Sequence, residues 1–98
     1  MKRVAILGST GSIGVQALDV ISRFPDRFEV VALAAARNAS RLAEQIRRFH
    51  PRIAAVQDEA AARELRALAP GGVEVLPGDA GVVAAASHPD VEFVLAAI

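Results

Sequence analysis

The chain is a relay of short apolar runs, at residues 4–7, 28–35, 52–56, 73–76 and 92–98, with helical patterning between each consecutive pair. The runs at 4–7, 28–35 and 92–98 show no polar alternation, which is the signature of strands covered on both faces. Strict strand-helix alternation with linkers of only a few residues leaves few architectures open. It points to an α/β fold: a parallel sheet with right-handed crossovers and helices on both faces. Because the last run is apolar throughout, it is expected to need cover on both faces. The chain stops inside it, so the sheet reads as truncated at its carboxy-terminal end, and residues 1–98 as part of one domain.

The intervening segments carry helix signals of their own. After Ser12, the residues Ile13, Ala17, Leu18, Ile21 and Phe24 recur at helical spacing, Asp19 and Arg23 fall off that stripe, and Pro25 closes it. A second helix is expected over 40–50, with Leu42, Ala43, Ile46 and Phe49 inward, Glu44 and Arg48 paired outside, and Pro51 as the stop. Asn38 and Ser40 supply capping side chains before it. Asp58 caps a third helix that turns Ala61, Leu65 and Leu68 to the core, pairs Glu59 with Arg63 and ends at Pro70-Gly71-Gly72. A fourth, over 80–87, is rich in alanine and has no sharp face; Asp79 reads as its cap.

Composition closes off several function classes. The 98 residues are 53% apolar and 22% charged, with eleven basic and eleven acidic side chains, so the chain is not of the disordered class and has no net field to draw nucleic acid or an anionic membrane. Cysteine is absent, which removes disulfides and thiolate metal sites, and the two histidines and the carboxylates show no ligand spacing. Four phenylalanines make up the aromatic content, too few for a base-stacking platform. No apolar run reaches the roughly 18 residues of a membrane span. A cytoplasmic location is the expectation.

Gly8-Ser9-Thr10-Gly11-Ser12-Ile13-Gly14 falls where the first strand turns into the first helix. The glycines are three apart and not in G-x-G-x-x-G order, and in isolation the run would pass for a simple turn. At this position each glycine has a use: Gly8 for the tight turn, Gly11 for backbone approach to a pyrophosphate, Gly14 for packing of helix on strand. The amides of Thr10, Gly11, Ser12 and Ile13 are expected to face an anion from the helix N-terminus, and the hydroxyls of Ser9, Thr10 and Ser12 to add hydrogen bonds. Val15-Gln16 follows the last glycine, so there is no Lys-Ser or Lys-Thr pair of a triphosphate-binding loop.

A dinucleotide site selective for NAD usually ends its second strand with an acid that accepts from the ribose hydroxyls. Here Ala34-Ala35-Ala36 is followed by Arg37-Asn38, a guanidinium that can fork onto a 2′-phosphate and an amide that can donate beside it. The expected cofactor is NADPH over NADH in a Rossmann-like domain. A solvated arginine near a helix start is the plainer reading of Arg37.

The run from Gly8 to Gly14, with Leu18-Asp19-Val20-Ile21, Val30-Val31-Ala32-Leu33 leading to Asn38, Pro51-Arg52 and Ala96-Ala97-Ile98, resembles the amino-terminal part of the 1-deoxy-D-xylulose 5-phosphate reductoisomerase family. The resemblance covers nearly the whole chain and implies an NADPH-binding domain of a longer enzyme, with catalytic and carboxy-terminal regions elsewhere. It places cofactor contacts at Thr10, Gly11, Ser12, Ile13, Ala36, Arg37 and Asn38. Family members commonly carry Gly-Lys or Gly-Arg before the asparagine, where this chain has Ala36-Arg37.

The implied chemistry is conversion of 1-deoxy-D-xylulose 5-phosphate, a phosphosugar, to 2-C-methyl-D-erythritol 4-phosphate in non-mevalonate isoprenoid biosynthesis. The resemblance further implies a divalent cation, Mg or Mn, held by an Asp and two Glu of the catalytic domain, none with a counterpart here, and a homodimeric full-length enzyme. No residue of this chain is expected to be catalytic or to bind metal. His50 and His88, each before a proline, read as helix-end and turn residues. Two other readings of the residues stand beside this one: the cofactor domain of a different NADP-dependent reductase, with a Tyr-x-x-x-Lys pair beyond residue 98, and a stand-alone NADP(H)-sensing module.

Overall fold

Val4, Ala5 and Ile6 are enclosed on both sides, and the strand that carries them, β1 (Lys2–Leu7), lies inside a five-stranded sheet in the computed structural model of residues 1–98. The other strands are β2 (Phe28–Ala34), β3 (Ile53–Val56), β4 (Glu74–Pro77) and β5 (Phe93–Ala96). Their order is β4-β3-β2-β1-β5, and every pairing is parallel. The chain therefore steps one way from β1 to β4 and then crosses back to place β5 on the far side of β1. Right-handed crossovers put α1 (Ser12–Ser22), α2 (Ala39–Phe49) and α3 (Glu59–Leu68) on one face and α4 (Gly78–Ala86) on the other.

Two apolar clusters match the two faces. The larger joins Val4, Ile6, Leu33, Ala54 and Val56 of the sheet to Leu18, Leu42, Ile46 and Leu65 of the first three helices. The smaller is built from Ala5, Ala32, Ala34, Ile53 and Ala55 against Ala85 of α4. Small side chains let α4 lie close on the strands: a Cβ added to Gly81 would sit 2.8 Å from the Leu76 carbonyl oxygen. A bulge in β2 sorts the residues, since Val4 pairs with Val30 but Ala5 pairs with Ala32. The extra residue, Val31, shifts the phase so that Leu33 faces the three helices and Ala32 and Ala34 face α4.

Several sequence expectations are corrected. Helix α1 buries only Gly14 and Leu18, with Ile21 partly covered, whereas Ile13 and Phe24 are 61% and 43% exposed. Ile13 lies in the first turn of α1, over the loop, and Phe24 falls past the last turn of the helix. Leu68, expected inward, is exposed at the end of α3. Strand β5 is the edge of the sheet that residues 1–98 form: Phe93 is 53% and Val94 42% exposed and Leu95 packs against the larger cluster, so the cover expected for both its faces does not come from these residues.

The surface charges also pair differently. Arg66, and not Arg63, meets Glu59, because its guanidinium is already fixed by donating to the Val75 carbonyl at 2.9 Å. Arg48 lies over the Phe49 ring instead of pairing with Glu44. Asn38 and Asp58 do cap α2 and α3, accepting from the amides of Arg41 and Ala61, but Asp79 makes no cap, since α4 starts after Pro77 and already contains it. No helix is long and apolar enough to cross a membrane.

Candidate functional site

The loop after β1 is fixed from three directions. Gly8 and Ser9 both donate their amides to the Ala34 carbonyl at the end of β2, at 2.8 and 2.9 Å. Gln45 of α2 donates from Nε2 to the Ser9 carbonyl at 2.8 Å. The Gly11 amide closes the turn on the Gly8 carbonyl at 3.2 Å. Gly8 has φ +83°, which glycine adopts without penalty. At Gly14 the constraint is space: an added Cβ would lie 2.7 Å from the Ser9 Cα and closer still to the Gly8 carbonyl oxygen.

This construction leaves donors without partners where α1 begins. The N-cap is Gly11, with no side chain to satisfy the first turn, and that turn carries no acid. The amides of Thr10, Ser12 and Ile13 make no hydrogen bond within the chain. Together with the partial positive charge of the helix N-terminus they form a cradle suited to a diphosphate, each nearby charge being worth about 0.3 to 1 kcal/mol and more when partly buried. Two details differ from the sequence expectation. Gly11 uses its amide inside the turn and so contributes closeness, not a donor. Ser9 is completely buried, so its hydroxyl faces the interior and not the cleft.

Beside the cradle lies a cleft of about 400 Å³, at the carboxyl ends of β1, β2 and β3 and the start of α4. Its wall includes Gly8, Thr10 and Gly11 from the loop and Ala34, Ala35 and Ala36 from the end of β2. The strand order reverses at β1, with β2 on one side and β5 on the other, which is where open α/β sheets hold their ligands. Gln57, Asp79, Val82 and Ala97 also line the cleft, and none of them was expected there from sequence. For three of them the signal was available: Gln57, Asp79 and Ala97 stand just beyond the carboxyl ends of β3, β4 and β5, while Val82 faces the cleft from α4.

Ala36, Arg37 and Asn38 follow β2 after Ala35, and all three are exposed; Ala36 lines the cleft, whereas Arg37 and Asn38 are not in its wall. The Arg37 guanidinium makes no ion pair or hydrogen bond within the chain, unlike Arg3, Arg23, Arg52 and Arg66. Asn38 divides its amide between two tasks. Its Oδ1 accepts from the Arg41 amide at 3.1 Å and from the Ser40 hydroxyl at 3.3 Å, while Nδ2 is left free to donate outward. No carboxylate follows β2; the acid that reaches the cleft is Asp79 from the opposite wall. Elsewhere, His50 ends α2 in the left-handed conformation and His88 accepts from the Asp90 amide at 3.1 Å, both structural placements. Nowhere do three His, Cys, Asp or Glu side chains come together in a way that could hold a metal ion.

A sequence model of 1-deoxy-D-xylulose 5-phosphate reductoisomerase matches residues 4–98. The protein of that name from Anaeromyxobacter sp. (strain K) is 79% identical over 98 residues, covering all of this chain and 25% of its own length. The structure of the Zymomonas mobilis reductoisomerase in complex with NADPH superposes with a TM-score of 0.91 at 37% identity, over 99% of this chain and 26% of that one. A DOX-P reductoisomerase in complex with NADPH, fosmidomycin and magnesium gives a TM-score of 0.89 at 31% identity, over 100% of this chain and 24% of that one. The chain thus spans about a quarter of the length of these relatives.

Proposed function

Because the chain belongs to the 1-deoxy-D-xylulose 5-phosphate reductoisomerase family, we infer that its residues 1–98 form the NADPH-binding part of such an enzyme. The observation that carries this reading is one cleft walled by Thr10 and Gly11, where α1 starts with unpartnered amides, and by Ala36, which is followed in sequence by Arg37 and by no acid. Thr10, Ser12 and Ile13 would bind the diphosphate through their amides. Gly11 keeps the backbone bare so that the anion can approach. Arg37 would fork onto the 2′-phosphate, with Asn38 Nδ2 donating beside it and Ala36 bounding the cleft. The apolar wall of Ala34, Ala35 and Val82 would exclude water from the bound nucleotide.

NADPH supplies the hydride in this family's reaction. The proposal for the whole protein is conversion of 1-deoxy-D-xylulose 5-phosphate to 2-C-methyl-D-erythritol 4-phosphate, by a homodimeric, cytoplasmic enzyme acting in isoprenoid biosynthesis. The carboxylates of this chain do not gather into a ligand set, so no residue here is assigned to the divalent cation and no step is routed through it. The family match also weighs against the alternative of a different NADP-dependent reductase with a Tyr-x-x-x-Lys pair.

The direct test is an assay of the full-length protein with 1-deoxy-D-xylulose 5-phosphate and Mg²⁺ or Mn²⁺. Oxidation of NADPH in step with appearance of 2-C-methyl-D-erythritol 4-phosphate is expected, and residues 1–98 alone should bind NADPH without turnover. A folded full-length protein that consumes no NADPH under these conditions would contradict the proposal.

A further inference from the structure

Gln45 is a long polar side chain that α2 turns inward, between Leu42, Ala43 and Ile46, and it is only 8% exposed. An amide in that position costs free energy unless its hydrogen bonds are made, and a leucine would pack there without that cost. Gln45 makes one such bond, from Nε2 to the Ser9 carbonyl at 2.8 Å, across 36 residues of sequence. Its Oε1 and the Ser9 Oγ are both enclosed without a partner, so the group is not there to satisfy its own polar atoms. What it does satisfy is the backbone of the glycine loop.

The geometry of the peptide gives that bond a consequence at the site. The Ser9–Thr10 peptide is planar and trans, so its carbonyl and the Thr10 N–H point in opposite directions. Ser9 is already tethered on its amide side by the Ala34 carbonyl, at 2.9 Å. With the Ser9 carbonyl gripped from α2, the Thr10 N–H is turned to the other side of the loop, where Thr10 lines the cleft and the amide has no partner in the chain. Rotation of this peptide would replace a donor with a carbonyl oxygen facing the anion.

We propose that Gln45 is a positioning residue which, through the Ser9–Thr10 peptide, aims the Thr10 amide at the cofactor diphosphate. The inference rests on the cofactor reading above and deepens it. It makes a distinction that simple core packing does not: ligands carrying the diphosphate depend on Gln45, and ligands touching only the Arg37 end of the site do not.

The test compares the parent full-length protein with Gln45→Met, which keeps the volume, and Gln45→Glu, which places an oxygen against the Ser9 carbonyl. NADPH and adenosine 2′-monophosphate are titrated by calorimetry, with Tm recorded for each variant. Gln45→Met is expected to weaken NADPH about fivefold to tenfold, and Gln45→Glu about tenfold or more, with adenosine 2′-monophosphate unchanged within about twofold. NADPH affinity equal to the parent's in a folded Gln45→Met variant would overturn the proposal while leaving the cofactor reading intact. So would equal losses for both ligands, or a Gln45→Met variant that does not fold, since either makes Gln45 a packing residue only. A parent protein that binds no NADPH would remove the cofactor reading and this inference together.

Discussion

Arg37→Ala is expected to weaken NADPH binding by about 1.5 to 3 kcal/mol, roughly tenfold to 150-fold, and to leave NADH binding nearly unchanged. The magnitude is that of hydrogen bonds to a charged group, here a guanidinium meeting a phosphate. The structure makes the experiment clean, because Arg37 is exposed and has no partner within the chain whose loss would disturb the fold. Arg37→Lys should recover part of the loss, since an ammonium keeps the charge but not the planar fork. Calorimetric titration of both cofactors checks it. Equal losses for NADPH and NADH would show that residue 37 supports the loop and does not read the 2′-phosphate.

The second large effect separates two glycines of the same loop. A Cβ on Gly14 would meet backbone atoms of Gly8 and Ser9, the Ser9 Cα at 2.7 Å, and backbone offers no flexible end that can swing aside. Helix α1 would have to lift from the loop, so Gly14→Ala should cost about 3 kcal/mol or more. For a domain of this size that is a fall in Tm of roughly 12 to 24 °C. Gly11→Ala is the counterpart. Its Cβ would meet only the Gly8 carbonyl oxygen, at 3.6 Å, and its φ of −76° suits any residue, so the cost is that of a poorer N-cap, about 1 kcal/mol or less, and Tm should fall by no more than roughly 8 °C. The methyl would nevertheless stand in the wall of the cleft, and NADPH binding should fall about tenfold. Thermal melts alongside titrations distinguish the two, and a Gly11→Ala variant with parental affinity would mean that the anion does not approach the backbone there.

The parts of this fold that were legible in the sequence are those decided locally. Asn38 and Asp58 stand one residue before their helices and cap them, because a short acceptor at that place meets an orphan amide whatever the rest of the chain does. The glycine loop was legible for a related reason, since bare backbone between an apolar run and an amphipathic one has few other uses. Features set by tertiary context were not. The bulge at Val31 inverts the alternation of β2, and nothing in Val30-Val31-Ala32 announces which valine is the extra residue. Arg66 reaches Glu59 because the Val75 carbonyl of β4 holds its guanidinium, a partner that only the assembled sheet supplies.

The site divides in the same way. Of the residues named from residue type, Thr10, Gly11 and Ala36 line the cleft and Ser12, Ile13, Arg37 and Asn38 are not in its wall, whereas Gln57 and Asp79 line it only through the positions at which β3 and β4 end. Gln45 lay between the two cases: a polar residue on the stripe of Leu42, Ala43, Ile46 and Phe49 is a visible anomaly, but its partner at Ser9 is visible only once α2 packs near the loop.

One titration bears most directly on the central claim, that main-chain amides at the start of α1 hold a diphosphate while Arg37 reads the phosphate on the ribose. Folded protein is titrated with NADPH, NADH and adenosine 2′,5′-bisphosphate. The expected result is saturable binding of NADPH and of the bisphosphate, with NADH weaker than NADPH by about tenfold or more. Folded protein that binds none of the three, or that binds NADH as tightly as NADPH, would contradict it.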